Sequence, residues 1–405
     1  MGMEVDQDVG TARAGPTCIE DTWAWTSSLL ADMSRTEHGI DKYHLLDQLM
    51  GVMQKGLVMV TDCSGMGMPE MMISTLVNTL TSQYGSNIPP VRCWRSSDIG
   101  QIQRECAKQG CGGPEHVFGD LIGFLPTRMQ GELRKVISEH VQQVEELITQ
   151  GCCEKSATDA IRHDVWDAVV AVLKKGPITR ETKAPCFKCR RSGSSGRRMG
   201  SVRRCRNLNT NLKLCPINPP GIRPTLAVSG TPCVSWSSMG KQCGWMAKTF
   251  LPFLSWVYAM LSSCPDLIVH ECTQNFDWQM LRRIFEDKDM VECPYHIQSF
   301  VFCPTDCGVP MRRARCWTIM IRKDALGPMR VPRCNFSQDG FGQVFFRRIV
   351  SNGHMYWCAP REDVLRHLCM AAKKAGRPEL ALDDESALSH AQKERLADYT
   401  ARREK

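Results

Sequence analysis

A short apolar run, a polar or glycine tip and an amphipathic stretch recur along this chain, and that repetition limits the folds open to it. Gly56-Leu57-Val58-Met59-Val60 is rich in strand formers and ends in Asp62-Cys63-Ser64-Gly65-Met66-Gly67, after which Pro69 to Leu80 is amphipathic. Val91-Arg92-Cys93-Trp94 leads into Asp98, and Val117 to Leu121 is a third short strand around Asp120. Thr225 to Ser229 runs into Gly230-Thr231-Pro232-Cys233, with a helix from Thr249 to Ser262 beyond, and Pro265 to Glu271 is another apolar strand ending on a carboxylate. Strands alternating with helices predict an α/β fold with a mostly parallel, doubly wound sheet. Tyr295 to Phe302 and Arg315 to Ile321 read as two further strands joined by Asp306-Cys307-Gly308-Val309-Pro310.

Around this core the pattern changes. Trp and Leu residues at helical spacing from Thr22 to Gln54 predict a helical lead-in, residues 1–55. The first part of the core is expected over 56–125 and the second over 221–325. Between them, 126–220 reads as an insertion: Leu133, Val136, Ile137, Val141, Val144 and Leu147 recur at helical spacing, whereas Pro177 to Pro220 turns to Arg, Ser, Gly, Asn and Pro, as in a linker or exposed loop. Residues 326–405 form a C-terminal extension that ends in a charged, helix-prone tail.

Composition narrows the compartment and the partner. No apolar run approaches the roughly 20 residues of a membrane helix, so no membrane partner is expected. The start, MGMEVDQDVG, is acidic and lacks the apolar region of a secretory signal. The 22 cysteines are therefore read mostly as reduced thiols inside a cell. A net charge of +8 suits a polyanion such as nucleic acid.

Open α/β sheets bind ligands at the carboxyl ends of their strands. The glycine turn of Ser64, Gly65 and Gly67 lets a backbone approach a nucleoside closely, and Asp98 and Asp120 are placed to bond its ribose and adenine edge. Cys233 sits on a rigid proline turn, in G-x-P-C-x-x-W-S-x-x-G. Glu271, ending an apolar strand, is either a surface cap or a functional acid, since an unpaired buried carboxylate is costly. Arg313 and Arg315 share one side of an extended segment, because side chains alternate with period two.

In this order, the motifs resemble those of the cytosine-5 DNA methyltransferases. Gly230 to Gly240 is similar to that family's P-C-Q-x-F-S-x-x-G, with Val234 for Gln and Trp236 for Phe; His270-Glu271-Cys272-Thr273-Gln274-Asn275 is similar to its E-N-V motif, with Cys272 for Asn. Asp306 to Arg315 resembles D-x-G-V-P-Q-x-R-x-R, with Met311 for Gln. Asp62 to Gly67 resembles motif I, with Cys63 in place of its aromatic, and Phe118-Gly119-Asp120-Leu121 resembles motif III.

The resemblance implies a Rossmann-like class I methyltransferase with S-adenosylmethionine as cofactor, held by Cys63, Ser64, Gly65, Gly67, Asp98, Asp120, Leu121 and Pro232. It implies that Cys233 adds to carbon 6 of a flipped-out cytosine, that Glu271 bonds ring nitrogen 3, and that Arg315, with Arg313 beside it, holds the carbonyl and favours the thiolate. Ser237 would touch nucleic acid. The expected substrate is DNA, in the nucleus of a host that has one. RNA cytosine is the nearest alternative, and a non-catalytic nucleic-acid-binding relative is the rival from another class. No segment resembling motif X and no target-recognition region is evident, which leaves room for a protein partner to supply target recognition.

The resemblance does not reach the insertion. There Cys186-x-x-Cys189, Cys205 and Cys215 are spaced as a candidate zinc set, among Arg190, Arg191, Arg197, Arg198, Arg203, Arg204 and Arg206, which are candidate phosphate contacts. A solvated basic loop accounts for the arginines equally well.

Overall fold

A computed structural model of the chain describes residues 14–34, 45–175, 181–189, 215–219, 224–237, 243–325, 341–351 and 370, apart from 64, 66, 86, 110–112, 183, 185, 218, 292, 293, 343 and 344. Two compact units are distinguished, 1–16 with 20–350, and 17–19 with 351–405; the sheet lies wholly in the first. Among the described residues, no helix is long and apolar enough to cross a membrane.

The helices α1 (Ile19–Ser34) and α2 (Leu45–Gln54) precede β1 (Val58–Asp62). Leu30 and Met53 join Leu57, Val77, Leu80 and Leu226 in a small apolar cluster, so this helical lead-in is packed on α3 (Met68–Tyr84) and the sheet. Next come β2 (Arg92–Ser97), α4 (Gln101–Gln109) and β3 (His116–Phe118), and then the long α5 (Thr127–Thr149) and α6 (Glu154–Lys175). The short β4 (Glu181–Thr182) and β5 (Cys215–Pro216) pair antiparallel. The chain returns to the sheet through β6 (Thr225–Gly230), α7 (Phe250–Ser263), β7 (Leu267–Thr273), α8 (Gln279–Phe285), β8 (Tyr295–Phe302) and β9 (Arg315–Arg322).

The seven-stranded sheet runs β3-β2-β1-β6-β7-β9-β8. From β3 to β7 every pairing is parallel, and β9 reverses against both β7 and β8. The expected Rossmann-like, mostly parallel α/β sheet is therefore the observed one. Buried on both faces, β1 needs the continuous apolar run that marked it in the sequence. α7 has twelve of its fourteen residues buried, the fate of a helix that is apolar on all sides. In β9 burial alternates strictly, as expected of a strand with one face in the core.

One expectation fails in the insertion. The stretch read as a linker or exposed loop buries Thr182, Ala184, Cys186, Cys215 and Ile217. Cys186 bridges Phe118 antiparallel, the Phe187 N–H donates to the Val117 carbonyl at 2.7 Å, and Arg95 Nη1 donates to the Ile217 carbonyl at 2.7 Å. Five buried side chains scattered over such short strands leave no periodicity to detect, so composition alone pointed to solvent.

Candidate active site at the strand ends

Sequence order in the sheet switches between β1 and β6, and a crevice at such a switch is where doubly wound sheets bind ligands. The glycine turn after β1 borders it. Gly65 (φ 62°) and Gly67 (φ 85°) occupy left-handed backbone that suits glycine, and Gly67 leads directly into α3. Cys63 takes φ 55° without being glycine, a conformation that costs of order 1 kcal/mol or more and clusters at functional sites. Its N–H donates to the Ser97 carbonyl at 2.7 Å, locking the turn to β2.

The carboxylates expected to hold a nucleoside are gathered on this side. Asp98 accepts from the Gly65 N–H at 3.2 Å and the Gly100 N–H at 2.8 Å, and exposed Asp120 caps the short 3-10 turn Leu121–Phe124 by accepting from the Ile122 N–H at 2.9 Å. Burial pushes the Cys63 thiol up well above its ordinary value, helped by the negative charges of Asp62, Asp98 and Asp120. Asp98 and Asp120 thus place negative charge on this side of the crevice. Asp62 is itself spoken for: fully buried, it pairs with Arg95 at 2.7 Å and accepts from Ser97 Oγ at 2.6 Å. Leu121, expected at the cofactor, has its side chain in the core instead, because the 3-10 turn points it inward. Ser64 lies outside the described residues. Sequence reasoning missed Ile99 and Ile102, which stand 77% and 70% exposed beside Asp98, an apolar surface where a ring could lie. Their signal was faint, since single apolar residues after a strand are common.

Across the crevice, Gly230 ends β6 opposite Glu271 of β7. A Cβ on Gly230 would stand 3.3 Å from Glu271 Oε2 and 3.5 Å from the Cys63 carbonyl, so this glycine lets the turn after β1 and the β7 carboxylate approach from its two sides. Glu271 pairs with Arg315 Nε at 2.7 Å, both partly open to solvent. Arg313 is exposed and precedes β9, its backbone N–H donating to Cys303 Sγ at 3.1 Å, so the structure brings Arg315, not Arg313, to the carboxylate. Period-two alternation was sound within the strand, but the strand starts at Arg315.

Three residues past Gly230 the chain turns at half-buried Cys233, where the Trp236 N–H donates to the Cys233 carbonyl at 3.0 Å. Pro232 and Ser237 are also half-buried, and Val234 projects, 66% exposed. Behind the turn, Thr231 Oγ1 is 2.7 Å from Nε2 of buried His270, whose ring stacks on Trp256 at 4.5 Å. Complete burial lowers the pKa of His270 to about 3, so it is neutral near pH 7. This contact ties Thr231, two residues before Cys233, to β7; the motif that includes His270 had drawn attention to Glu271 instead. Beside the loops after β6 and β7 lies a cleft of about 740 Å3 lined by Trp236, Trp245, Phe276 and Trp278, with Arg162 and Trp166 of α6 on its other wall.

The candidate metal ligands divide. Cys186, Cys189 and Cys215 meet, but the fourth partner is His116, at the start of β3; Cys205 lies outside the described residues, as do Arg190, Arg191, Arg197, Arg198, Arg203, Arg204 and Arg206. Hydrogen bonds from Cys189 and Cys215 hold the Cys186 thiol well below its ordinary value, against the opposing effect of burial.

Residues 221–347 match the family model described as C-5 cytosine-specific DNA methylase. No curated protein sequence gives a significant match. Among solved structures, the chain is similar to the S. pombe Dnmt2 methyltransferase, with 12% identity and a TM-score of 0.31 over 66% of this chain and 49% of that one. It is also similar to an E. coli prophage-encoded protein titled a DNA modification methyltransferase, with 11% identity and a TM-score of 0.30 over 66% and 47%. The chain thus spans about half the length of the structures it matches.

Proposed function

We propose, on the premise that residues 221–347 are a C-5 cytosine-specific DNA methylase domain, that this chain methylates carbon 5 of cytosine in DNA, with Cys233 as nucleophile. The observation that carries the reading is the Glu271–Arg315 pair beside Gly230, three residues before Cys233. Cytosine carbon 5 is a weak nucleophile. Addition of the Cys233 thiolate to carbon 6 moves electron density toward carbon 5 and ring nitrogen 3, and Glu271 is suited to bond that nitrogen as it takes a proton. Arg315 holds Glu271 and supplies positive charge toward the carbonyl. Once carbon 5 has taken the methyl group, loss of its proton to solvent expels the thiolate and restores the ring.

S-adenosylmethionine, when bound, would supply an electrophilic methyl group. The residues present fit it: Gly65 and Gly67 let backbone come close, Asp98 and Asp120 accept hydrogen bonds, and the carboxylates around Cys63 suit a sulfonium cation. Pro232 and Cys63 would border that ligand, and half-buried Ser237 follows the nucleophile on the side where nucleic acid would enter. The target base must leave its stack to reach Cys233. A DNA substrate implies a nuclear location in a host that has a nucleus.

Radiolabelled methyl transfer to DNA and RNA side by side tests the reading. Label in DNA cytosine is expected. Label confined to RNA would move the substrate, and none in either, with folded protein, would leave the nucleic-acid-binding reading.

A further inference from the structure

Beneath the edge strand of the sheet, four residues from three separate parts of the chain converge. His116 opens β3, Cys186 and Cys189 flank a turn, and Cys215 lies on β5; one ligand atom of each lies within 4.8 Å of all the others. Sγ of Cys189 and of Cys186 stand 3.4 and 3.8 Å from His116 Nδ1. A tetrahedral ion bound at about 2.0–2.3 Å sets its ligand atoms roughly 3.5–3.8 Å apart, and these two separations lie close to that spacing. The Cys189 N–H points at Cys186 Sγ, 3.5 Å away, which is how a backbone supports a thiolate ligand.

We propose that His116, Cys186, Cys189 and Cys215 bind one structural zinc ion, which fastens the insertion to the edge of the sheet. Three thiolates with one imidazole are soft, compact donors that select zinc over the hard cations. His116, Cys186 and Cys215 are buried and Cys189 half-buried, so the shell leaves no open position for a reacting water. Zinc entering the reduced site displaces the thiol protons to solvent and needs no oxidant. The described part of the insertion between α6 and β6 buries few side chains, and a metal supplies what so small a core lacks. It also ties together residues 70 apart in sequence.

The ion would act on the neighbouring site through Phe187, which lies between the two cysteines of the turn. Its ring covers Gly119, where a Cβ would come within 3.1 Å, and carries the Arg104 guanidinium 4.5 Å from its centre. Gly119 immediately precedes Asp120. The metal therefore holds Phe187 against the strand end that carries this carboxylate.

The test uses the full chain, purified under reducing conditions without chelator. Mass spectrometry of the metal content should give about one zinc per chain, and X-ray absorption should show three sulfurs and one nitrogen. His116→Ala and Cys215→Ser should each lose at least nine tenths of the zinc, while Cys205→Ser keeps it. If those variants fail to fold, cobalt substituted into the unmodified chain should still give a tetrahedral, thiolate-bound spectrum. Folded chain without zinc, a shell of four sulfurs, zinc lost in Cys205→Ser, or a Cys186–Cys189 disulfide in its place would each overturn the proposal. None of these readings depends on methyl transfer, so the site stands or falls apart from the enzymatic one.

Discussion

β7 and β9 are joined by an ion pair at each end, and the two pairs live in different surroundings. At the amino end of β7, Asp266 meets Arg322 at 2.8 Å with side chains 12% and 3% exposed; Asp266 also accepts from the Thr225 N–H and hydroxyl, and Arg322 donates to the Cys264 carbonyl. At the carboxyl end, Glu271 meets Arg315 at 2.7 Å with side chains 26% and 17% exposed. Between these pairs the register is unbroken, from Leu267 opposite Ile321 to Thr273 opposite Arg315. The first pair clamps β6, β7 and β9 and has its oxygens engaged by the protein. The second stands beside a glycine and is partly open to solvent. Location in the sheet, not residue type, separates a structural pair from one free to do chemistry.

Breaking the comparison at its strongest point, Cys233→Ala should lower methyl transfer at least about a thousandfold, since removing the nucleophile of a covalent mechanism is among the largest single losses an enzyme shows. The melting temperature should stay unchanged, because Cys233 is half-buried on a turn. Arg322→Ala should show the reverse pattern in urea unfolding, with a stability loss of roughly 3–5 kcal/mol, because it leaves the buried Asp266 carboxylate without its cation. Arg315→Ala should cost stability little, on the order of 1 kcal/mol, and lower transfer by about a hundredfold, as loss of one electrostatic contact to the reacting ring does. If Arg315→Ala unfolds the chain while Arg322→Ala does not, the roles of the two pairs are exchanged.

A finer separation comes from pH. His270 is neutral when folded, with its pKa lowered to about 3 by burial. An unfolded histidine takes up a proton near pH 6.5, so between about 6.5 and 3 the unfolded state binds more protons. Its contribution is present in full above about pH 6.5 and declines as pH falls toward 3, with a slope of up to about 1.4 kcal/mol per unit. His270→Asn should flatten the dependence of unfolding free energy between pH 6 and 5; an unaltered slope would mean that another group carries it. The smallest effect is expected at the surface, where Lys174 pairs with Asp287 at 2.9 Å. Lys174→Met should leave the urea midpoint unchanged within error, because exposed pairs are screened by solvent and salt.

The sheet was legible because its strands announce themselves locally. β1 is a continuous apolar run, β7 another that ends near Glu271, and the strands around Asp306 to Pro310 fall at 295–302 and 315–322. The place of Cys233 just past a strand end was legible because β6 itself is an apolar run. His116 could not, since a lone histidine before Val117 and Phe118 carries no spacing that relates it to cysteines 70 residues later. Cys205 and Cys215 look equivalent in sequence, and only tertiary contact shows that Cys215 shares a cluster with His116. The inward side chain of Leu121 was hidden for a similar reason, because the Asp120 cap sets the direction of the turn that buries it. Local pattern identifies strand ends; which side chains meet there is decided by packing.

The most direct measurement of the central claim is a covalent trap. With fluorine at carbon 5 of the target cytosine, the proton whose loss would release the thiolate is absent, and the adduct should persist. Incubation of the full chain with S-adenosylmethionine and DNA carrying 5-fluorocytosine, followed by peptide mass spectrometry, should place the methylated nucleotide on Cys233. Methyl transfer to ordinary DNA with the adduct on another residue, or with none formed, would contradict the assignment of Cys233 as the nucleophile.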